Sequence, residues 1–276
     1  MVLRFIRLII KETKQTDIFL FEKLSSFQNI EHFVSTNIRK QNNEIFNDLN
    51  LSFNKEQTYC KTLQNRKILA DAAQIPLKSF VMQEQVHGNK VKVISKIHKS
   101  KGLYDHNDAI SDNDAMITNE KDLCLFLFAA DCVPILFYDP EKNIIGAAHA
   151  GWKGTLKKIA SETVLIMKNE FGCNPEDMIA CLGPSISVDN YEVGDDVVEE
   201  ALSVFGKKED YLIYNSKSKK YHFDLWFTNK KILLDTGIKE ENIQIADMCT
   251  YHHTDKFFSA RRQKNTGRFA AGIMMI

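Results

Sequence analysis

The sequence predicts a mixed-sheet α/β (α+β) sandwich. Three observations carry this reading: many apolar runs short enough to be strands, single helical patterns set between them, and turn residues joining some runs directly into hairpins. The N-terminal MVLRFIRLII is apolar but short, is broken by Arg4 and Arg7, and lacks a small-residue cleavage site, so it reads as a lead-in strand or tail and not as a signal peptide. Residues 30–60 are polar, irregular and rich in Asn, and they feed a helical pattern over 59–73 with apolar positions at Leu63, Ile68, Leu69 and Ala72. Strand-like runs follow at 79–83, 90–94, 115–118, 123–129, 135–138 and 144–149. DPEKN between the last two is a turn, which makes 135–149 a hairpin. A helix over 155–171 ends at Gly172, where a capping glycine is expected. A strand at 178–182, helices at 194–205 and 224–236, and strands at 243–246, 257–260 and 269–273 complete the chain. No repeat, low-complexity segment or Pro/Gly/Ser-rich linker divides it, so residues 1–276 read as one domain with 1–29 as its lead-in segment.

Composition excludes several classes of function. With 36 Lys+Arg against 36 Asp+Glu, and only short basic pairs such as Lys157-Lys158 and Lys207-Lys208, the chain lacks the concentrated basic face that a nucleic-acid polymer requires. The longest apolar run, residues 123–138, contains Asp131 and Pro134 and falls short of the roughly 20 residues needed to span a bilayer. The expected setting is therefore the cytoplasm, without a membrane partner. Six cysteines at 60, 124, 132, 173, 181 and 249 include no C-x-x-C pair and no small-secreted-domain spacing, so most read as reduced, buried small hydrophobes.

Cys132 is the exception. It follows the apolar run 123–129 and precedes Pro134, while His149 closes the run 144–149 and His87 stands before Gly88 between two strand-like runs. Three ligand-type residues at three strand ends can converge on one rim. Two neutral imidazoles and a thiolate suit Zn²⁺, and three protein ligands leave a fourth position open for chemistry. The plainer alternative is that each histidine is a satisfied structural or surface group. No H-E-x-x-H, Walker loop, G-x-G-x-x-G, G-x-S-x-G or deaminase H-x-E with P-C-x-x-C is present. A multicopper cluster would need repeated His-x-His pairs, whereas the eight histidines include only the adjacent His252-His253.

QVHGN around His87, AADCVPILFYDP around Cys132, AAHAGWKG around His149, GPSISVDNYEVG at 183–194, and Cys249-Thr250 followed by FFSARRQKNTGRFAAGIMM together resemble the laccase-domain family, also known as polyphenol oxidase or purine nucleoside phosphorylase-like proteins. The resemblance covers about residues 30–276. It implies a fold related to cytotoxic necrotizing factor-type cysteine hydrolases, with His87, Cys132 and His149 as a metal site for zinc, copper being possible. It also implies phosphorolysis of adenosine, inosine and 5′-methylthioadenosine with adenosine deamination, so that a nucleoside and phosphate are the expected small-molecule partners. Some members are linked to editing of a peptidoglycan precursor, which supplies an alternative hydrolase reading.

The family's Asn-Arg pair matches Asn65-Arg66, and its Asp at a strand start matches Asp114 in DNDAMIT. Both Arg66 and Asp114 are carried as catalytic candidates, although an arginine on an amphipathic helix is by default solvated or ion-paired. Arg261, Arg262 and Arg268 are candidates to hold phosphate, since guanidinium groups suit it bidentately. Trp152 either walls the site and stacks on a purine or simply packs. The chain departs from the family at Ser35-Thr36-Asn37-Ile38-Arg39-Lys40, where the family has Ser-Thr-Arg and then Gly-Gly. Two rival functions stand beside the metal enzyme. One is a metal-free cysteine hydrolase using Cys132, His149 and either Asp131 or Asp114; the other is a closed metal-binding or partner-binding module.

Overall fold

A computed structural model describes residues 8–42, 44–53, 59–206 and 210–276. The apolar segment 1–7 and the Lys207-Lys208 pair lie outside the described residues. Two six-stranded sheets form the centre. One runs in the order Leu8–Glu12, Asp17–Phe21, Ile30–Ser35, Phe269–Met275, Cys124–Ala129, Phe80–Met82; the other runs Ile243–Ile245, Ile179–Leu182, Val133–Asp139, Ile144–Ala150, Ala115–Thr118, Val91–Val93. Most neighbours are antiparallel, and the pairs Phe80–Met82 with Cys124–Ala129, Val91–Val93 with Ala115–Thr118, and Ile179–Leu182 with Ile243–Ile245 are parallel, so both sheets are mixed as expected.

Side-chain alternation shows how the layers stack. Leu125, Leu127, Ala271 and Ile273 of the first sheet share a core with Leu136, Tyr138, Ile145 and Ala147 of the second, so these faces meet. The opposite residues Phe33, Cys124, Phe126 and Ala270 pack beneath the helix Tyr59–Ala73. On the other side, Ile135, Phe137 and Ala148 pack against the helices Ile159–Phe171, Asp195–Phe205 and Leu225–Asp235. The result is a helix, sheet, sheet, helix stack. Strands covered on both faces read as unbroken apolar runs, which is why the sequence shows runs here without alternation.

The helix Tyr59–Ala73 and the strand Ala115–Thr118 match their expected bounds, and the hairpin pairs Asp139 with Ile144 across its turn. Three expectations fail. The single helix expected over 155–171 is two, Trp152–Leu156 and Ile159–Phe171, interrupted at Lys158 with its φ of 58°. Residues 257–260 form a loop after a turn: the backbone N–H groups of Lys256 and Phe257 donate to the His253 carbonyl, and Phe257 is buried between the rings of Phe19 and Phe269 without strand pairing. Apolar character there serves burial of a loop. Residues 30–35, expected to be irregular, form a central strand because the polar His32 and Ser35 are buried and bonded: Phe21 N donates to His32 Nε2 at 2.8 Å, and Ala270 N donates to Ser35 Oγ at 2.9 Å.

That buried imidazole gives the fold a pH dependence. Burial pushes the His32 pKa down to about 4. Its unfolded counterpart titrates near 6.5, so the unfolded chain binds the extra proton first; the stabilisation is complete above pH 6.5 and is lost as pH falls toward 4, amounting to about 3 kcal/mol. Urea unfolding at pH 7.5 and 4.5 should therefore show a smaller acid loss for His32→Gln, which keeps an acceptor for Phe21 N but does not titrate. Equal acid losses in the two proteins would refute this assignment.

Candidate active site

Two of the chain's crossings from one sheet to the other, at the same end of the sandwich, carry the ligand-type residues. Residues 130–132 connect Cys124–Ala129 to Val133–Asp139, placing Cys132 at the turn; residues 83–90 connect Phe80–Met82 to Val91–Val93, placing His87 there. Asp131 holds φ of 89° and His87 φ of 59°, left-handed conformations that are uncommon for non-glycine residues and are held here by hydrogen bonds. His149 sits one residue before the end of Ile144–Ala150, paired with Pro134.

The enforcing groups are two carboxylates. Asp114, fully buried, accepts from the backbone N–H groups of Val86, His87 and Gly88 at 3.2, 3.0 and 2.6 Å, and lies 2.8 Å from His149 Nδ1. His149 N also donates to the Asp114 carbonyl at 2.7 Å. One carboxylate thus positions the His87 loop and orients the His149 ring, fixing the proton on Nδ1 and leaving Nε2 for the site. Asp131 acts elsewhere: it accepts from Thr250 Oγ1 and from Arg261 N, both at 2.6 Å, tying two C-terminal loops to the Cys132 turn. Of the two candidate orienting acids, Asp114 is the one that reaches His149.

His87, Cys132 and His149 present one ligand atom each, all within 4.8 Å of one another, and they are the one such group of three among the described residues. Gly151 makes room for them. A Cβ there would stand 2.8 Å from His87 Nδ1 and 3.0 Å from Cys132 Sγ, too close for any side chain. A tetrahedral ion with bonds of about 2.0–2.3 Å separates its ligands by roughly 3.5 Å, so the set has to draw in by about 1 Å, within reach of side-chain rotation. The donor set fits a metal.

Electrostatics agree with a deprotonated sulfur. Burial by itself would raise the Cys132 thiol, but the neighbouring His149 and His87 outweigh it and bring the pKa down to about 6. Burial opposes charge on His149, yet the Cys132 sulfur and the Asp114 carboxylate lift it to about 9. The buried Cys124 and Cys181, with no such partners, are pushed well above the ordinary thiol range.

The triad opens into a cavity of about 470 Å³, within the usual size range for a small-molecule site. Arg66, Arg268, Gln83, Gln85 and Phe128 line it together with the triad. Arg66 corrects an expectation: it is 1 % exposed, not solvated, because the helix Tyr59–Ala73 packs against loops whose carbonyls receive its guanidinium. Nε donates to Leu51 O at 2.8 Å and Nη1 to the carbonyls of Gly102 and Leu103.

The three C-terminal arginines do not converge. Arg268 lines the main cavity, Arg262 lines a neighbouring one and lies over Tyr251, and exposed Arg261 donates to Glu192 O while lying over Tyr191. Turns at 260–265 splay Arg261 and Arg262 away from Arg268. Trp152 does not line the cavity and packs with the helix-side core. None of residues 35–40, the segment that departs from the family, lines it.

One contributor escaped sequence reading although it lies in QVHGN. The Gln85 amide bonds both ways to Phe128, donating to its carbonyl at 2.9 Å and accepting from its N–H at 2.8 Å. It takes the place of a strand where Phe80–Met82 has ended and so fixes the Phe128 wall of the cavity. The available signal was a polar residue two positions before His87, immediately after a strand.

Comparison with known proteins follows the same residues. The family model described as multi-copper polyphenol oxidoreductase laccase matches residues 31–276. The chain belongs to this family. Among relatives of this laccase-domain protein, a purine nucleoside phosphorylase of Bacteroides thetaiotaomicron is 36% identical over 272 residues, covering 97% of this chain and 99% of that one. Adenosine deaminase RL5, from an unknown prokaryotic organism, is 31% identical over 249 residues, covering 90% and 95%. The crystal structure of the Bacillus licheniformis hypothetical protein YfiH superposes with a TM-score of 0.86 at 26% identity, over 97% of this chain and 99% of that one. No helix among the described residues is long and apolar enough to cross a membrane.

Proposed function

We propose that this laccase-domain protein is a zinc-dependent purine nucleoside enzyme of the cytoplasm, which phosphorolyses adenosine, inosine and 5′-methylthioadenosine and also deaminates adenosine. The observation that carries the proposal is the convergence of His87, Cys132 and His149 on the wall of a nucleoside-sized cavity. The names of the relatives supply the substrate class. Zinc suits two imidazoles and a thiolate with a fourth position open, and copper is the alternative that the family description carries. When bound, zinc supplies Lewis acidity and acidifies a water toward neutral pH.

The chain's own groups do the rest. Asp114 holds His149 in one tautomer and keeps the His87 loop in its left-handed turn, so two of the three ligands are oriented before any ion arrives. Gln85 and the buried Arg66 fix the cavity walls. In deamination, water adds at C6 of adenosine and ammonia leaves, giving inosine. In phosphorolysis, a phosphate oxygen bonds to C1′ as the C1′–N9 bond breaks; the electron pair leaves with the purine, which takes up a proton, and ribose 1-phosphate remains.

Zinc-loaded protein given adenosine and phosphate should release adenine and ribose 1-phosphate, and without phosphate it should still form inosine. If adenosine, inosine and methylthioadenosine all remain unchanged, the purine assignment is wrong, and a peptidoglycan precursor becomes the substrate to test.

A metal-free cysteine hydrolase is a second reading, favoured by one observation: Cys132, His149 and Asp114 form a relay in which the thiol is already held at about 6. The toxin-type architecture implied by the family resemblance would accommodate it. His87 weighs against it, because a thiolate and imidazole pair has no use for a second imidazole.

A further inference from the structure

Two arginines of the main cavity have no carboxylate partner among the described residues. Its walls include Arg66 and Arg268 and, among the described residues, no Asp or Glu, while the nearby Asp114 is taken up by His149 and the 86–88 turn. This happens in a chain whose basic and acidic residues are equal in number. A buried cation without a counter-charge is among the costliest arrangements in a protein interior, since carbonyl groups satisfy hydrogen bonds without neutralising charge.

Arg66 shows where an answering charge would sit. A guanidinium has five N–H donors. One on Nε goes to Leu51 O and two on Nη1 go to Gly102 O and Leu103 O, which leaves both donors of Nη2 without a protein acceptor among the described residues. Among the described residues no carboxylate forms an ion pair with Arg66, and the rings of Phe53 and Phe128, 4.2 and 5.7 Å from its guanidinium carbon, shield it from solvent. Arg268 is anchored in the same manner: its Nη1 donates to the carbonyls of Thr266 and Gly267 at 2.9 Å, its backbone N–H donates to Asn50 Oδ1, and no carboxylate among the described residues pairs with its side chain. Both arginines are held rigidly by backbone oxygen and both line the cavity that ends at the triad. Positioned guanidinium donors, one of them, Arg66, removed from solvent, are an arrangement that binds tetrahedral oxyanions well.

We infer that the Arg66 wall of the cavity is an oxyanion subsite, in which the free Nη2 of Arg66 and the side chain of Arg268 bind inorganic phosphate beside a nucleoside. The inference deepens the phosphorolysis reading and rests on it for the identity of the anion, while its position rests on the two arginines. It moves the phosphate away from Arg261 and Arg262, which do not line this cavity.

The test is calorimetric titration of the zinc-loaded protein with inorganic phosphate, with inosine, and with inosine 5′-monophosphate. Arg268→Gln is the main variant because its side chain is only half buried; Arg66→Lys keeps the charge but not the three carbonyl bonds, and circular dichroism checks that each is folded. Phosphate should bind the wild type and weaken roughly tenfold or more in both variants, as expected for losing a charge-assisted contact, and inosine should weaken less than phosphate does. If the 5′-monophosphate gains affinity over inosine and loses that gain in both variants while free phosphate does not bind, the subsite stands with the ligand's own phosphoryl group in it, and the phosphorolysis reading fails instead. Phosphate binding that is unchanged in folded Arg268→Gln, or that disappears on removing the metal while ignoring both substitutions, would overturn the subsite.

Discussion

Cys132→Ser should lose metal and activity together. The hydroxyl keeps much of the shape of the thiol, but it is a far poorer ligand for a borderline ion and is not ionised at neutral pH, whereas Cys132 is held as a thiolate by His149 and His87. Removing one of three ligands from an open site should reduce zinc affinity by orders of magnitude and leave residual turnover near background. Fold stability should change little, because the crossing at 130–132 is held by Asp131 through Thr250 and Arg261 and not by the sulfur. The informative measurement is zinc stoichiometry beside activity in the same preparation. Full zinc with no activity, together with stoichiometric alkylation of wild-type Cys132, would transfer the chemistry to the cysteine-nucleophile reading.

Asp114→Asn should have the second-largest effect, for a different reason. The carboxylate receives three backbone N–H groups and His149 Nδ1, and an amide offers one acceptor oxygen and an NH₂ that must face some of those donors. His149 then loses the partner that fixes its tautomer, and the left-handed His87 turn loses its anchor. Metal affinity or activity should fall on the order of 10–100-fold. The buried donors left unsatisfied should lower stability by about 1–3 kcal/mol. Zinc titration and urea unfolding would check the two parts separately. A variant with unchanged metal affinity would show that Asp114 is no more than a turn-former.

The fold was legible where burial acts along the chain. The helix Tyr59–Ala73, the hairpin 133–150 and the strand Ala115–Thr118 follow from local periodicity and turn chemistry. The strand Ile30–Ser35 was not, because His32 and Ser35 look polar until their partners, Phe21 N and Ala270 N, are brought in from elsewhere in the chain. The loop around Phe257 fails in the opposite sense, since an apolar run can be buried without pairing.

At the site, the three ligand-type residues were visible as strand-end anomalies, and the family resemblance joined them. Asp114 could be named, but its fourfold acceptor role depends on a turn at 86–88 that no local pattern encodes. The arginines misled for a related reason. ARRQKNTGR reads as one basic cluster, yet the turns at 260–265 send Arg261 and Arg262 away from the cavity that Arg268 lines, while Arg66, on a helix that looks solvated, is buried in its wall.

Elemental analysis of protein purified without chelators or added metal tests the central claim most directly, because every functional step proposed for His87, Cys132 and His149 depends on their holding one ion together. The expected result is about one zinc per chain, lost in Cys132→Ser, with activity following zinc content on removal and return. Protein that is fully active with no transition metal would contradict it.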